Sequence, residues 1–195
     1  MTLCLNDHIQ ELDGDALARA LACLPPWRRE RALAYRHQAG QLQSALAYVE
    51  LERALALRGS RVTRPRFGWN GHGKPFLPEC PGLHFSMSHC RQAVGCLLAE
   101  KPCGLDIESI RAPKPTLVRR TMNTEEQERI MGSAAPEVEF TRLWTCKEAV
   151  FKLLGTGITG SLPDILTQAR ERGIRLSMVA NPARGYVLTT AVEDG

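Results

Sequence analysis

The chain has 195 residues, 44% of them hydrophobic and 24% charged, with a net charge of +4, the composition of an ordinary globular protein with one domain or two small ones sharing a core. No apolar run reaches the ~18 residues a bilayer span requires, so no membrane segment is expected. The start MTLCLNDHIQELDGD is acidic and has no basic region, so it does not read as a secretory leader.

Seven cysteines form no CxxC pair, which points to free thiols and a reducing, cytoplasmic setting. Ten arginines against seven acids fall in residues 1–66. Clustered arginine favours a phosphate-bearing or acidic partner, although a solvated helix face reads the same way in composition. Low aromatic content and the lack of any RNA or DNA motif argue against a nucleic-acid binder built on the basic N-terminal helices.

In chain order, residues 15–24 and about 28–58 read as helix, with Leu33, Leu42, Leu46, Val49, Leu51 and Leu55 at mostly helical spacing, Gly40 as a break and Gly59 as a stop. FGWNGHGKPFLPECPG is dense in Gly and Pro and reads as loop. Residues 83–89, 93–100 and 103–110 read as three strands with short turns, hence antiparallel neighbours. Pro113 and Pro115 mark a turn. NTEEQERIM starts like a capped helix at Asn123 or Thr124. Residues 137–154 are the next helix, ended by Gly155 and Gly157, and 173–180 with 185–193 form a closing hairpin around NPARG. Helices, three strands, helices and two strands make an α+β chain with two sheet portions, divided near 110–115.

The candidate chemistry lies in four segments. In GLDIES, Asp106 and Glu108 share one strand face, roughly 7 Å apart at their Cα atoms, with Leu105 and Ile107 on the other. Two carboxylates there repel unless solvent or a cation separates them; a solvated edge and a Mg²⁺ ion, which takes carboxylate and phosphate oxygens, are both readings of this strand. In RLWTCKEAVFKLLG, Glu148 and Lys152 stand four apart, about 6 Å along the helix. An i,i+4 ion pair is the plain account. Yet Glu148 lies beside Trp144 and Phe151, where a charge is costly without a partner, and a bound cation or a phosphate would supply one. Lys147, rotated by about 100° from Glu148, is free to reach solvent. In HFSMSH, Ser88 and His89 end a strand and are able to donate to phosphate. GHGKP adds Lys74 on a constrained loop, which by itself reads as a bare turn.

Taken together, GKPFLP, HFSMSH, GLDIES and LWTCKEAVFK, in this order, resemble the 4′-phosphopantetheinyl transferases of the Sfp and AcpT type. The most specific elements are G-x-D-x-E, here Gly104 to Glu108, and W-[ST]-x-K-E-[AS]-x-x-K, here Trp144 to Lys152. The resemblance spans roughly residues 26–158, including the basic start WRRERALAYR.

The resemblance implies an α+β fold of two similar α/β halves, 1–112 and 113–195, packed as a pseudo-dimer with coenzyme A between them. It implies Mg²⁺-dependent transfer of the phosphopantetheine arm of coenzyme A to a serine of an apo acyl carrier protein or carrier domain, by a monomeric cytoplasmic enzyme that releases 3′,5′-ADP. Asp106, Glu108 and Glu148 are then the metal ligands, with Glu148 also the general base and Lys152 the neutraliser of the pyrophosphate; Asp106, Glu148 and Lys152 form the catalytic set. Ser88 and His89 hold phosphates, Lys74 approaches the adenosine end, and Arg28 and Arg31 grip the 3′-phosphate. The alternative is a non-catalytic carrier- or nucleotide-binding member. Three departures stand out: Gln41 and Gln43 where an arginine is common, Thr121-Met122-Asn123-Thr124-Glu125 where F-S-x-x-E is common, and a short C-terminus nearer the AcpT size.

Overall fold

The computed structural model describes residues 1–156 and 161–193. In chain order the elements are β1 (Thr2–Asn6), α1 (Ala16–Cys23), α2 (Pro26–Leu33), α3 (Gln38–Leu57), β2 (Gly68–Trp69), β3 (Pro75–Phe76), β4 (His84–His89), β5 (Val94–Ala99), β6 (Cys103–Ser109), α4 (Pro115–Thr121), α5 (Thr124–Gly132), α6 (Pro136–Leu154), α7 (Ile165–Glu171), β7 (Ile174–Asn181) and β8 (Tyr186–Glu193). Helix and sheet are mixed as the α+β expectation holds.

Two antiparallel sheets carry the fold, with strand orders β1-β5-β4 and β6-β8-β7. Each is built the same way. A first strand (β1 or β6) precedes a long helix (α3 or α6), and a hairpin follows whose second strand takes the centre of the sheet. The long helix lies across its own sheet in both cases. This repeated strand–helix–hairpin unit is a two-half arrangement within one chain. β6 precedes the division expected at 112/113 but hydrogen-bonds to β8, in the second sheet.

That pairing corrects one expectation. β4 and β5 are antiparallel neighbours, but β5 and β6 are not paired, because β6 crosses to the other sheet. β6 instead runs beside β4 along the seam, where side chains replace the missing backbone acceptors. The Leu105 N–H donates to Ser86 Oγ at 2.9 Å and the Ile107 N–H to Ser88 Oγ at 3.1 Å. The short β1, the β2–β3 hairpin, α4 and α7 were not expected either. Each is brief, and a few residues carry too little periodicity to register in sequence. Pro115 opens α4 at its first turn, where a missing N–H costs nothing. The break in the first long helical stretch falls at residues 34–37, before Gly40.

Other features follow the sequence reading. Asn123 caps α5 in a reciprocal box with Glu126. Gly155 ends α6 with φ +62, the left-handed conformation that favours glycine. Gly157 lies outside the described residues. All seven cysteines are free thiols. Among the described residues, no helix is long and apolar enough to cross a membrane.

Candidate active site at the meeting of the two halves

Strand β6 is divided by its pleat. Leu105 and Ile107 point into a core shared with Cys90, Ala93 and Leu97 of the first half and Leu188 of the second. Gly104, Asp106 and Glu108 point to the opposite face, against α6. A Cβ at Gly104 would stand 1.9 Å from the Ala149 carbonyl oxygen and 2.7 Å from the Leu153 nitrogen. The glycine therefore lets α6 rest directly on the strand. Ala149 and Leu153 each follow a residue expected to be functional, so this close contact sets where Glu148 and Lys152 lie relative to Asp106. On the adjoining strand, Thr189 opposes Asp106 and hydrogen-bonds Thr145 of the helix at 2.9 Å.

The expected residues meet here. Lys152 Nζ donates to Asp106 Oδ1 at 2.7 Å and to Ser88 Oγ at 2.9 Å, and Ser88 Oγ donates to Asp106 Oδ1 at 3.1 Å. Lys152 thus pairs across the fold with Asp106, where sequence spacing offered Glu148 as its partner. Trp144 Nε1 approaches Glu108 Oε1 at 3.4 Å, and its ring stacks on Phe140. Trp144, Glu148 and Lys152, at i, i+4 and i+8, line one stripe of α6.

Burial, then the negative charge of Asp106, holds the Glu148 carboxyl above the usual carboxylate range, with Lys152 opposing that rise. Glu108 is raised for the same two reasons, in the same order. Burial and the cations Lys152 and Arg28 push the His89 imidazole down. A carboxylate raised in this way accepts a proton more readily than an ordinary one.

The donor chemistry also suits one hard cation. Asp106 Oδ2 is buried with no hydrogen-bond partner, and the mutual repulsion of Asp106, Glu108 and Glu148 is what a divalent ion relieves. As placed, however, no group of three or more His, Cys, Asp and Glu side chains among the described residues is gathered to hold a metal ion. Lys152 occupies Asp106 Oδ1, so one positive charge already answers part of that repulsion.

Lys147 points elsewhere. It is 0% exposed, and its Nζ binds Glu126 at 2.8 Å and the carbonyls of Leu162 and Pro163 at 2.9 and 3.0 Å. A route to solvent was expected; the 100° rotation from Glu148 instead turns this lysine into the seam between α5, α6 and the 162–163 turn. Glu126, not Glu125, is the engaged acid of the capped helix, and the signal was its place three residues after Asn123.

A cleft of about 350 Å³ opens over this cluster, lined by Lys74, Pro75, Ser86, Met87, Glu148 and Lys152 among others. It adjoins a second of about 460 Å³ bearing Arg28, Arg31, Tyr35, Ser44 and Trp69. Gly73, Pro75 and Met87 line both, so the two form one groove. Arg28 is buried, donates to the Ser44 carbonyl and hydroxyl at 2.7 and 3.1 Å, and stands over the Tyr48 ring. Lys74 Nζ donates to the carbonyls of Leu153 at 2.8 Å and Cys103 at 3.3 Å, tying its loop to α6 and β6. The two glutamines in the place of an arginine bind backbone: Gln41 the Tyr35 carbonyl and Gln43 the Cys90 carbonyl.

A basic groove that runs to acids and a lysine, at the junction of two like α/β halves, is suited to a phosphate-bearing ligand. The sequence model of the 4′-phosphopantetheinyl transferase superfamily matches residues 102–189, which hold both β6 and α6. The 4′-phosphopantetheinyl transferase Sfp of Bacillus subtilis is 25% identical over 182 residues, covering 91% of this chain and 81% of that one. The transferase HetI of Nostoc is 31% identical over 162 residues, 79% of this chain and 64% of its own. The transferase psf-1 of Bacillus pumilus is 32% identical over 109 residues, 55% and 47%. The chain is thus similar to 4′-phosphopantetheinyl transferases over most of its length, and the superfamily's sequence model matches the part that carries the acids and Lys152.

Proposed function

We propose that the protein transfers the 4′-phosphopantetheine arm of coenzyme A to a serine hydroxyl of an apo acyl carrier protein or carrier domain. The serine oxygen bonds to the phosphorus that carries the pantetheine arm. The P–O bond to the bridging oxygen breaks, and 3′,5′-ADP leaves. The observation that carries this reading is the Lys152–Asp106–Ser88 cluster, whose Lys152 lines with Glu148 the same groove as Arg28 and Arg31.

Glu148 accepts the serine proton, and its raised carboxyl suits that task. Lys152 donates to the pyrophosphate as charge builds on the leaving oxygen. Ser88 and His89 hold phosphate oxygens. Arg28 and Arg31 bind the 3′-phosphate, and Lys74 braces the loop at the adenosine end. Asp106, Glu108 and Glu148 would hold Mg²⁺, and the orphaned Asp106 Oδ2 is the best argument for it. Bound there, the ion would supply positive charge to the pyrophosphate. Both halves of the groove come from one chain, which supports a monomer. The arginine-rich first third suits an acidic carrier and would speed encounter. Among the relatives, a fatty acid synthase subunit alpha of Candida albicans and an enterobactin synthase component D of Salmonella typhimurium are similar over 73 and 156 residues; both are named as parts of synthases.

The test is mass spectrometry of apo carrier proteins incubated with coenzyme A and Mg²⁺. A gain of one phosphopantetheine unit is expected; carrier binding without any gain would instead establish the non-catalytic alternative. Glu148→Gln keeps the shape of the side chain and is expected to lower transfer at least about 100-fold with the fold intact. Wild-type turnover by that variant would remove Glu148 from its role.

A further inference from the structure

The hairpin of β2 and β3 places Trp69 opposite Pro75, at the rim of the groove. Trp69 is a large aromatic left 45% exposed, and nothing in the chemistry above uses it. The Arg31 guanidinium carbon lies over its ring, 5.0 Å from the centroid. To the other described residues the Arg31 side chain makes no hydrogen bond or ion pair. Arg28 differs: it is buried and its Nη2 is committed to Ser44. Two arginines thus face one groove, one anchored by hydrogen bonds and the other held only by an aromatic face.

A guanidinium over a ring keeps its N–H edges free, because the ring occupies only its face. Without that ring, a long exposed side chain samples many rotamers and must be ordered when the anion binds. We propose that Trp69 is a positioning residue, holding Arg31 over its indole so that the guanidinium edge stands ready beside Arg28 for the phosphate on the nucleotide ribose. This rests on the reading of Arg31 as a 3′-phosphate contact. Trp69 then sets the preference for 3′-phosphorylated over unphosphorylated nucleotide.

The experiment is calorimetric titration of the full chain with adenosine 3′,5′-bisphosphate and with adenosine 5′-phosphate, which lacks the group Arg31 would bind. The quantity read is the ratio of the two affinities. Trp69→Leu is expected to lower that ratio about fivefold, and Trp69→Phe, which keeps a ring, to restore most of it. Arg31→Ala is expected to lower it further. Trp69→Gln serves as a second variant without a ring, and circular dichroism checks the fold of each. If Arg31→Ala lowers the ratio and the ring-free variants do not, Trp69 has no positioning role, while the phosphate reading stands. Equal loss for both nucleotides would make Trp69 a general wall of the groove and overturn the inference. An unchanged ratio in Arg31→Ala would overturn the phosphate reading and this inference with it.

Discussion

Glu50 shows what one misplaced charge does. It lies on the inner face of α3, only 4% exposed. Arg53 approaches its Oε2 at 3.5 Å, too far for a hydrogen bond, and the same oxygen has no hydrogen-bond partner. Burial is the chief reason its carboxyl is raised, with Arg53 opposing. A raised carboxyl binds a proton more readily folded than unfolded. Stability is then fully present below the unfolded value near 4.5 and falls as pH rises through the folded one. Glu50→Gln is expected to flatten the decline in stability as pH rises above the unfolded value, measured by urea denaturation at several pH values. An unchanged slope would place the proton uptake at another group.

At the scale of elements, two contacts set the position of α6. The first is Gly104, where any side chain meets backbone of the helix that cannot step aside. Gly104→Ala is expected to cost about 3 kcal/mol or more in thermal unfolding, and to depress transfer in whatever fraction folds, since Glu148 and Lys152 move with the helix. The second is the buried Lys147–Glu126 pair. Removing one partner strands the other charge, so Lys147→Met is expected to destabilise by about 3–5 kcal/mol. Adding Glu126→Gln, which keeps the capping geometry and removes the charge, should recover much of that loss in a double-mutant cycle. A strictly additive result would show that the two charges do not depend on each other.

These elements also show where sequence was readable. The helix of residues 136–154 was legible because nineteen residues carry a sustained apolar stripe and a glycine stop. The acids of β6 were legible because a strand fixes which residues share a face. Lys147 was not, since helical spacing gives its angle from Glu148 but not what lies in that direction. The pairing of Lys152 with Asp106 was also out of reach: 46 residues separate them, and local geometry offered the nearer Glu148.

At the scale of the molecule, the two repeats are joined at the β4–β6 seam by serine hydroxyls. A second link is made by Arg184, which donates to the Asp7 carbonyl at 2.7 Å, and by Tyr186, which donates to the Asp7 carboxylate at 3.0 Å. A seam of this kind makes the halves one cooperative unit. Trp27 and Trp69 report on the first half and Trp144 on the second, so their thermal transitions are expected to coincide with far-UV circular dichroism. Ser86→Ala would strand the buried Leu105 N–H and cost about 1–3 kcal/mol. Two separate transitions in the wild type would show that the halves unfold independently.

The sequence by itself determined which residues were chemically unusual: the acids of GLDIES, the charges set into an apolar helix and the arginines of the first third. Strand and helix periods fix faces locally, and motif spacing fixed the family resemblance. Tertiary structure alone decided which of those charges meet. Lys152 crosses to Asp106, Lys147 turns away into a buried pair, and Gly104 brings strand and helix into contact. Such meetings depend on the packing of segments far apart in the chain, and no local period encodes that distance.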